Sequence, residues 1–223
     1  MARGILFDTD GTLVDSVDLQ VQSWRESFAH FGKEVSCEAI RSQLGKGGAE
    51  LILDFLSEGE RGRFGEDLYE HQSDVYQQKY LPRAQAFPQA RALLARLKQS
   101  GALVGLATSC RRRELGHYLR LVGGASLVDA VVDAEQTTPS KDAFRSCLGR
   151  LGLRPSQAVA VGDSPFDIES AGRAKVAAVG VLCGGYPEQD LRSAGCIAVY
   201  QDVAELLSGL ASSPLLLGPS PQR

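Results

Sequence analysis

The chain has 223 residues, of which 43% are hydrophobic and 23% are charged, and its formal net charge is −3. This length allows one large domain or two small ones with a buried core. The small negative charge favours no electrostatic binding of nucleic acid or anionic lipid, and no apolar run approaches the roughly 20 residues of a membrane span. The sequence therefore predicts neither a nucleic-acid nor a membrane partner.

The N-terminus and the cysteines indicate a cytoplasmic location. One arginine and a short apolar run lead directly into carboxylates, which is not the pattern of a secretory signal peptide. The five cysteines are odd in number and widely spaced, and they form no CxxC or Cys/His pattern of the kind that binds zinc. We expect reduced thiols in a cytoplasmic protein.

Short apolar runs alternate with helical patterns along most of the chain. Runs that are rich in β-branched residues and end in Gly, Asp or Thr are typical of strands buried on both faces of a parallel sheet. The predicted strands are residues 4–7, 102–107, 128–132, 158–161 and 176–182. The predicted helices of this part are residues 88–100, 112–122, 140–151 and 165–174. The alternation predicts an α/β fold with a doubly wound parallel sheet and a Rossmann-like core.

Residues 16–87 interrupt this alternation, because they show amphipathic helices and no convincing strand. The predicted helices there are residues 17–31, 36–44, 49–56 and 64–80. A helical block inserted after the first strand predicts a cap domain over the strand ends. We therefore predict an α/β catalytic core of residues 1–15 and 88–210, an all-helical cap of residues 16–87, and a flexible tail rich in Ser and Pro at residues 211–223.

Two acidic clusters follow predicted strands. Asp8 and Asp10 come directly after the first strand, and Asp163 and Asp167 follow the strand at 158–161. Open α/β sheets bind ligands at the carboxyl ends of their strands, and neighbouring carboxylates repel each other unless a cation lies between them. Oxygen ligands of this kind suit Mg²⁺. The sequence therefore predicts a magnesium site, whereas any one of these residues alone would be read as a turn former or, for Asp167, as an exposed helix residue.

The segments that carry these aspartates, and one further segment, resemble the motifs of the haloacid dehalogenase-like hydrolase superfamily, in its phosphoglycolate phosphatase-like branch. Residues 8–16, Asp-Thr-Asp-Gly-Thr-Leu-Val-Asp-Ser, resemble its opening signature, and Gly-Asp-Ser-x-x-Asp at residues 162–167 resembles its fourth motif. Ala-Thr-Ser at residues 107–109 resembles its second motif. The resemblance covers nearly the whole chain, including the helical cap.

The resemblance implies a phosphatase mechanism. Asp8 would attack the phosphate ester and form an aspartyl phosphate, while Asp10 would act as the general acid and then as the general base. Mg²⁺ would be held by Asp8, the backbone carbonyl of Asp10 and Asp163, with Asp167 nearby, and Thr108 would donate its hydroxyl to a phosphoryl oxygen. Asp10 argues against dehalogenation, because carbon–halogen cleavage needs no acid for a leaving alkoxide.

The lysine of the third motif departs from the pattern. Aligned on Pro139 and Phe144, the position of the family lysine holds Thr138, and Lys141 lies three residues further on. Either Lys141 reaches back from the start of a helix to take the same role, or the site lacks its lysine and is slow, altered or inactive. A third interpretation makes Lys141 a solvated helix residue.

The candidate substrate contacts come from both parts of the chain. In the core they are Thr108, Ser109, Gly11 and Arg111. In the cap, Lys46 lies in a polar turn and would contact an anionic part of the substrate, although an exposed lysine is an equal interpretation. Arg111 begins a run of three arginines that either attracts a phosphorylated substrate or covers a solvated surface.

The predicted function is hydrolysis of a small phosphorylated metabolite by a monomer or a homodimer. A phosphomutase of the same superfamily is the first alternative, disfavoured because Gln20 stands where related mutases carry a histidine. A protein that binds Mg²⁺ and phosphate without turnover is the second alternative, and the displaced lysine is the reason to consider it. Trp24 and Phe28, at helical spacing, are interpreted as cap core rather than as a stack for the substrate.

Overall fold

The computed structural model describes residues 3–136 and 142–218. Contacts within the chain divide it into two units, Met1–Asp15 with Ala86–Arg223, and Ser16–Gln85. The first unit contains a six-stranded sheet flanked by helices, which confirms the predicted α/β fold with a parallel sheet. No helix among the described residues is long and apolar enough to cross a lipid bilayer.

The sheet has the strand order β5-β4-β1-β6-β7-β8, and every pair of neighbouring strands is parallel. Its strands are β1 (Gly4–Phe7), β4 (Leu103–Ala107), β5 (Ala130–Val132), β6 (Ala158–Gly162), β7 (Ala177–Val181) and β8 (Ala198–Tyr200). A second sheet pairs the two-residue strands β2 (Val14–Asp15) and β3 (Gln85–Ala86). Strand β3 lies in a segment for which the sequence predicted only helices.

Strand β1 lies at the centre of the sheet, between β4 and β6. Phe7 is in register with Leu106 of β4 on one side and with Val161 of β6 on the other. All of β1 and β6 is buried, as expected for strands covered on both faces. Because parallel strands end at the same edge of a sheet, this register brings the residues after β1, β4 and β6 together.

The helices of this unit flank the sheet, and some of them begin at residues whose side chains cap them. Asp142 accepts hydrogen bonds from the backbone N–H groups of Phe144 and Arg145 at the start of α8, and Asp202 caps α11 in the same way. Behind β1 and β6, helices α8 and α9 bury an apolar cluster that includes Phe144 and Ile168. The helices are α6 (Ala90–Gln99), α7 (Arg112–Leu121), α8 (Ala143–Leu151), α9 (Pro165–Arg173), α10 (Glu188–Ser193), α11 (Val203–Ser208) and α12 (Pro214–Leu217).

The end of the chain differs from the prediction. Residues 211–218 were expected to belong to a flexible tail, but Pro214–Leu217 form α12, in which Leu215 is fully buried. Arg3 Nη1 donates a hydrogen bond to the carbonyl of Leu215 at 3.1 Å. The proline at the first helical position and the leucines after it outweigh the Ser/Pro composition on which the prediction depended.

The unit Ser16–Gln85 is helical and has an apolar core of its own. Its helices are α1 (Val17–His30), α2 (Cys37–Arg41), α3 (Gly48–Phe55), α4 (Glu58–Glu60) and α5 (Glu66–Val75), and π-helical turns follow α4 and α5 at Arg61–Gly65 and Tyr76–Tyr80. Trp24 and Phe28 of α1 are 3% and 0% exposed and lie in this core, as predicted. Tyr69 stacks on Trp24 with ring centroids 6.2 Å apart.

Candidate active site

The loop after β1 makes a tight turn that fixes the backbone around Asp8 and Asp10. The carbonyl of Thr9 accepts hydrogen bonds from the backbone N–H groups of Thr12, Leu13 and Val14 at 2.9–3.3 Å. Gly11 has φ +81°, a conformation that favours glycine. The backbone N–H of Asp8 donates to the carbonyl of Val161 at 3.0 Å, so Asp8 continues the pairing of β1 with β6.

Asp163 follows β6 and is held against this turn. Thr12 Oγ1 donates a hydrogen bond to Asp163 Oδ1 at 2.8 Å, and both residues are buried. A Cβ on Gly11 would lie 2.4 Å from Asp163 Oδ2, and one on Gly184, in the loop after β7, would lie only 1.7 Å from it. Glycine at both positions is therefore what allows the carboxylate to lie so close to the backbone.

Asp167 lies in the first turn of α9, where it forms a capping box with Ser164. Ser164 Oγ donates to Asp167 Oδ2 at 2.6 Å, and the backbone N–H of Ser164 donates to the same oxygen at 3.0 Å. Asp167 is only 9% exposed, which contradicts its interpretation as an exposed helix residue.

The structure brings Asp8, Asp163 and Asp167 together. One carboxylate oxygen of each lies within 4.8 Å of the others. Burial and the repulsion among these acids raise the pKa of Asp8 and of Asp163 well above the ordinary range, and burial raises the pKa of Asp167 to about 6. In the part of the chain that the structure describes, no lysine or arginine forms a salt bridge with any of the three.

This donor set fits a hard divalent cation. Buried carboxylates at this spacing are costly as bare anions, and a cation among them removes that cost. Oxygen is also the donor that Mg²⁺ prefers. The side chains that would hold the ion are those of Asp8, Asp163 and Asp167.

The side chain of Asp10 makes a different contact. Tyr118, on α7, donates its hydroxyl to Asp10 Oδ1 at 2.6 Å. The carboxylate of Asp10 is not part of the group of three carboxylates, so the side chain predicted to transfer protons is separate from those suited to the metal. Nothing in the sequence pointed to Tyr118, which lies outside every motif and 108 residues from Asp10 along the chain.

Thr108 directly follows β4, the strand next to β1, and is 1% exposed. Its backbone N–H donates to the carbonyl of Val132 at 3.0 Å, and its Oγ1 accepts a hydrogen bond from the backbone N–H of Cys110 at 3.1 Å. Because the hydroxyl oxygen serves as the acceptor there, its one proton can be donated elsewhere, as the predicted contact with a phosphoryl oxygen requires. Ser109, between these two residues, is exposed.

The backbone groups of Gly11 make hydrogen bonds within the protein. Its backbone N–H donates to the carbonyl of Val14 at 2.9 Å, and its carbonyl accepts a bond from the Cys183 thiol at 3.1 Å. The space beside its Cα is filled by Asp163. Gly11 therefore has a structural role in this turn, and its predicted contact with substrate stays a prediction.

The arginine run at residues 111–113 begins α7. Arg112 Nε donates to Asp133 Oδ2 at 3.1 Å, and Asp133 is 2% exposed. This bond ties the start of α7 to the loop after β5. The backbone N–H of Arg111 donates to Glu114 Oε2 at 3.2 Å. This bond holds a carboxylate in the first turn of α7, where it offsets the unfavourable interaction of the arginines with the helix dipole. The predicted contact of Arg111 with substrate stays a prediction.

The predicted roles of Lys46 and Lys141 stay predictions. Lys46 belongs to the unit Ser16–Gln85, where its Nζ donates to Asp54 Oδ2 at 2.8 Å. Lys141 lies outside the described residues, together with Thr138 and Pro139. Besides Tyr118, sequence reasoning assigned no role to Thr12, Ser164 and Gly184, although Thr12 and Ser164 stand inside the quoted motifs.

The chain is similar to known proteins over most of its length. The model of the family described as haloacid dehalogenase-like hydrolase matches residues 5–181. A phosphoglycolate phosphatase of Rhodospirillum rubrum is 28% identical over 221 residues, covering 92% of this chain and 90% of that protein. A validoxylamine A 7'-phosphate phosphatase of Streptomyces hygroscopicus subsp. limoneus is 27% identical over 184 residues, covering 81% of this chain and 86% of its own length.

A solved structure extends the likeness to the fold. The crystal structure of a hydrolase from Pseudomonas syringae superposes with a TM-score of 0.86 at 25% identity, covering 95% of this chain and 99% of that one. Together with the phosphatase relatives, these findings identify an enzyme of the phosphoric monoester hydrolase class. The chain belongs to the haloacid dehalogenase-like hydrolase family, as a phosphoglycolate phosphatase-like member.

Proposed function

We propose that this protein is a Mg²⁺-dependent phosphatase of a small phosphorylated metabolite, with Asp8 as the nucleophile. The observation that carries the proposal is the convergence of Asp8, Asp163 and Asp167, whose carboxylate oxygens lie within 4.8 Å of one another at the carboxyl edge of the sheet. A nucleophilic carboxylate beside two metal-suited carboxylates is an arrangement that phosphoryl transfer can use.

In the first half of the reaction, a carboxylate oxygen of Asp8 attacks phosphorus in line with the ester bond. A bond forms between phosphorus and Asp8, and the bond to the leaving oxygen breaks. Asp10 gives its proton to that oxygen, so the product leaves as a neutral alcohol. Asp8 now carries the phosphoryl group, and Asp10 is an anion.

In the second half, a water molecule attacks the phosphorus of the aspartyl phosphate. Asp10 takes a proton from this water, and the bond between phosphorus and Asp8 breaks. Inorganic phosphate leaves, Asp8 is again a carboxylate and Asp10 is again protonated. One difficult step is thereby divided into two easier ones.

The proposed supporting groups act on charge. Mg²⁺ bound by Asp8, Asp163 and Asp167, with the Asp10 carbonyl as a further predicted ligand, would neutralise the phosphoryl oxygens. Thr108 donates its hydroxyl proton to one of these oxygens, an orientation supported by the bond that its Oγ1 accepts from Cys110. The family lysine role is proposed for Lys141, and Ser109 and Arg111 remain proposed substrate contacts.

The substrate is proposed only as a class. The two phosphatase relatives described above have nearly equal identity to this chain, and their names give chemically different substrates, phosphoglycolate and validoxylamine A 7'-phosphate. We propose the unit Ser16–Gln85 as the cap that selects among such esters, with Lys46 as its candidate anion contact. A cytoplasmic location follows as part of the proposal.

The test is phosphate release from a panel of esters, including p-nitrophenyl phosphate and 2-phosphoglycolate, with Mg²⁺ and with EDTA. We expect hydrolysis only with Mg²⁺, and we expect Asp8→Asn to reduce kcat by at least about 10⁴-fold, because the amide is no nucleophile. Asp190→Asn, which changes an exposed aspartate of α10, is the matched control and should keep full activity.

Three results would contradict the proposal in different ways. Hydrolysis that survives Asp8→Asn would contradict the assignment of Asp8 as the nucleophile, but the protein would still be a phosphatase. Transfer of the phosphoryl group to a second sugar hydroxyl, without free phosphate, would identify a mutase. Binding of Mg²⁺ without turnover of any ester would identify a silent homologue.

A further inference from the structure

Tyr118 is a buried polar residue of the core unit that belongs to none of the sequence motifs. Its side chain is fully buried, and its hydroxyl donates to Asp10 Oδ1 at 2.6 Å. A tyrosine inside a protein needs a partner for its hydroxyl, and here the partner is the residue proposed to exchange protons with substrate and water.

Both ends of this contact are held by other interactions. Helix α7 starts from the loop that carries Thr108, and the carbonyl of Cys110 in that loop accepts a hydrogen bond from the backbone N–H of Ala134 at 3.0 Å. The Arg112–Asp133 pair fixes the first turn of the helix. At the other end, Asp10 follows the turn built on the Thr9 carbonyl. The phenol therefore spans from one fixed element to another.

We propose that Tyr118 is a positioning residue that holds the Asp10 carboxyl group in the orientation needed for proton transfer to the leaving oxygen. The inference rests on the proposed function. Asp10 is only partly buried, so packing restrains its side chain less than it restrains Asp8. A general acid must lie within hydrogen-bond reach of the atom it protonates, and a misplacement of about 1 Å can cost about 100-fold in rate.

A purely structural role would also explain a buried tyrosine, and the two roles differ in one measurable property. A leaving oxygen that is strongly basic needs the acid, whereas a weakly basic one departs with little help. A displaced Asp10 therefore slows poor leaving groups more than good ones. A loosened helix α7 slows both alike.

The experiment compares Tyr118→Phe with wild type on phenyl phosphate and p-nitrophenyl phosphate, which differ only in the nitro group. The quantity measured is kcat/KM, because it reports the steps up to the first phosphoryl transfer. We expect about a tenfold loss on phenyl phosphate and less than about a threefold loss on p-nitrophenyl phosphate, a part of the roughly 10²–10⁴-fold contribution of a general acid. The ratio of the two losses is independent of the fraction of enzyme that is folded.

Two controls bracket this result. Asp10→Asn removes the acid and gives the full leaving-group effect. Tyr80→Phe removes a hydrogen bond from a tyrosine to Glu26 in the other unit, and it should leave kcat/KM unchanged for both substrates. Tyr118→Leu, tested in parallel, should show the same selectivity as Tyr118→Phe, because it too lacks the hydroxyl.

Equal losses on both substrates in the Tyr118 variants, with a selective loss in Asp10→Asn, would overturn the positioning role while leaving the phosphatase intact. Wild-type enzyme that hydrolyses neither of these esters nor any other ester of the panel would instead overturn the proposed function, and the positioning role with it. The two failures are distinguished by whether the wild-type protein hydrolyses an ester.

Discussion

Three carboxylates of the core unit and one carboxylate of the helical unit have opposite environments. In the core unit, Asp8, Asp163 and Asp167 are buried beside one another, and their pKa values are raised. In the helical unit, Glu60 is half-buried and accepts hydrogen bonds from Lys33 Nζ at 2.9 Å and from the backbone N–H of Ser57 at 2.9 Å. These bonds lower its pKa to about 2.

This difference separates an acid whose charge stabilises the fold from acids whose charges destabilise it. The Glu60 charge is favourable where it is, because a cation and hydrogen-bond donors face it. The three core carboxylates have hydrogen-bond donors but mutual repulsion, which is a cost to stability. Groups kept in a costly environment are candidates for function, and a cation that binds among them should stabilise the protein.

After loss of the nucleophile Asp8, the largest expected effect comes from removing the charge of another carboxylate of the core cluster. Asp163→Asn keeps an oxygen that can accept from Thr12 but removes one negative charge. We expect kcat with Mg²⁺ to fall by at least about 100-fold, because a metal ligand is lost. In EDTA, by contrast, we expect the melting temperature to rise, because repulsion falls.

Thermal unfolding with and without Mg²⁺ measures both halves of that prediction. Wild type should gain melting temperature when the ion is added, and the variant should lose most of this gain. Asp190→Asn, at an exposed position, should behave as wild type in both conditions. A variant that is destabilised in EDTA would show that repulsion among these carboxylates is not a cost to the fold.

A smaller effect should follow from moving Asp163 without changing its charge. Gly184→Ala adds a Cβ that would lie 1.7 Å from Asp163 Oδ2, so the carboxylate or the loop must shift. We expect Mg²⁺ affinity to fall by about 10–100-fold, similar to the loss of other groups that orient metal ligands.

Isothermal titration with Mg²⁺ measures this change. Gly149→Ala is the matched control, because no atom lies within 4 Å of the added Cβ and the position is within helix α8. That variant should keep wild-type affinity and gain slightly in stability, since alanine favours helix more than glycine does. Unchanged affinity in Gly184→Ala would mean that Asp163 does not need its present position to bind the ion.

The sequence predicted the central sheet well because its strands are buried on both faces. Continuous apolar runs such as Ala158–Gly162 have few alternatives, and strand ends in a parallel sheet meet at one edge. The convergence of Asp8 with Asp163 followed from that rule. The edge strand β8 was not predicted, because Ala198–Tyr200 is short and only partly buried, so it lacks that signal.

Contacts made by residues outside the motifs could not be predicted in the same way. The bond from Tyr118 to Asp10 depends on how α7 packs, and the spacing of residues along the chain does not determine this. The role of Gly184 depends on its close approach to Asp163, since a Cβ at Gly184 would lie 1.7 Å from the Asp163 carboxylate. The two residues are well separated along the chain. The helix Pro214–Leu217 depends on apolar packing that a composition rich in Ser and Pro conceals.

The smallest expected effect belongs to the ion-paired side of the comparison. Glu60 has a folded-state pKa of about 2, below its ordinary value of 4.5, so the unfolded chain binds the proton more readily. Its contribution to stability is therefore complete above about pH 4.5 and is lost as the pH falls towards about 2. Glu60→Gln should reduce stability slightly at neutral pH and should flatten the acid side of the stability curve.

Urea unfolding at a series of pH values between 7 and 2.5 measures that slope. Glu58→Gln, an exposed neighbour in the same short helix, is the matched control and should keep the wild-type slope. Hydrolysis at neutral pH should be unaffected by either change, because Glu60 pairs with Lys33 within the helical unit. If Glu60→Gln and wild type lose stability equally on acidification, the Lys33–Glu60 pair contributes nothing to the stability of the fold. Of the carboxylates compared, only the buried ones of the core unit would then affect stability through their charge.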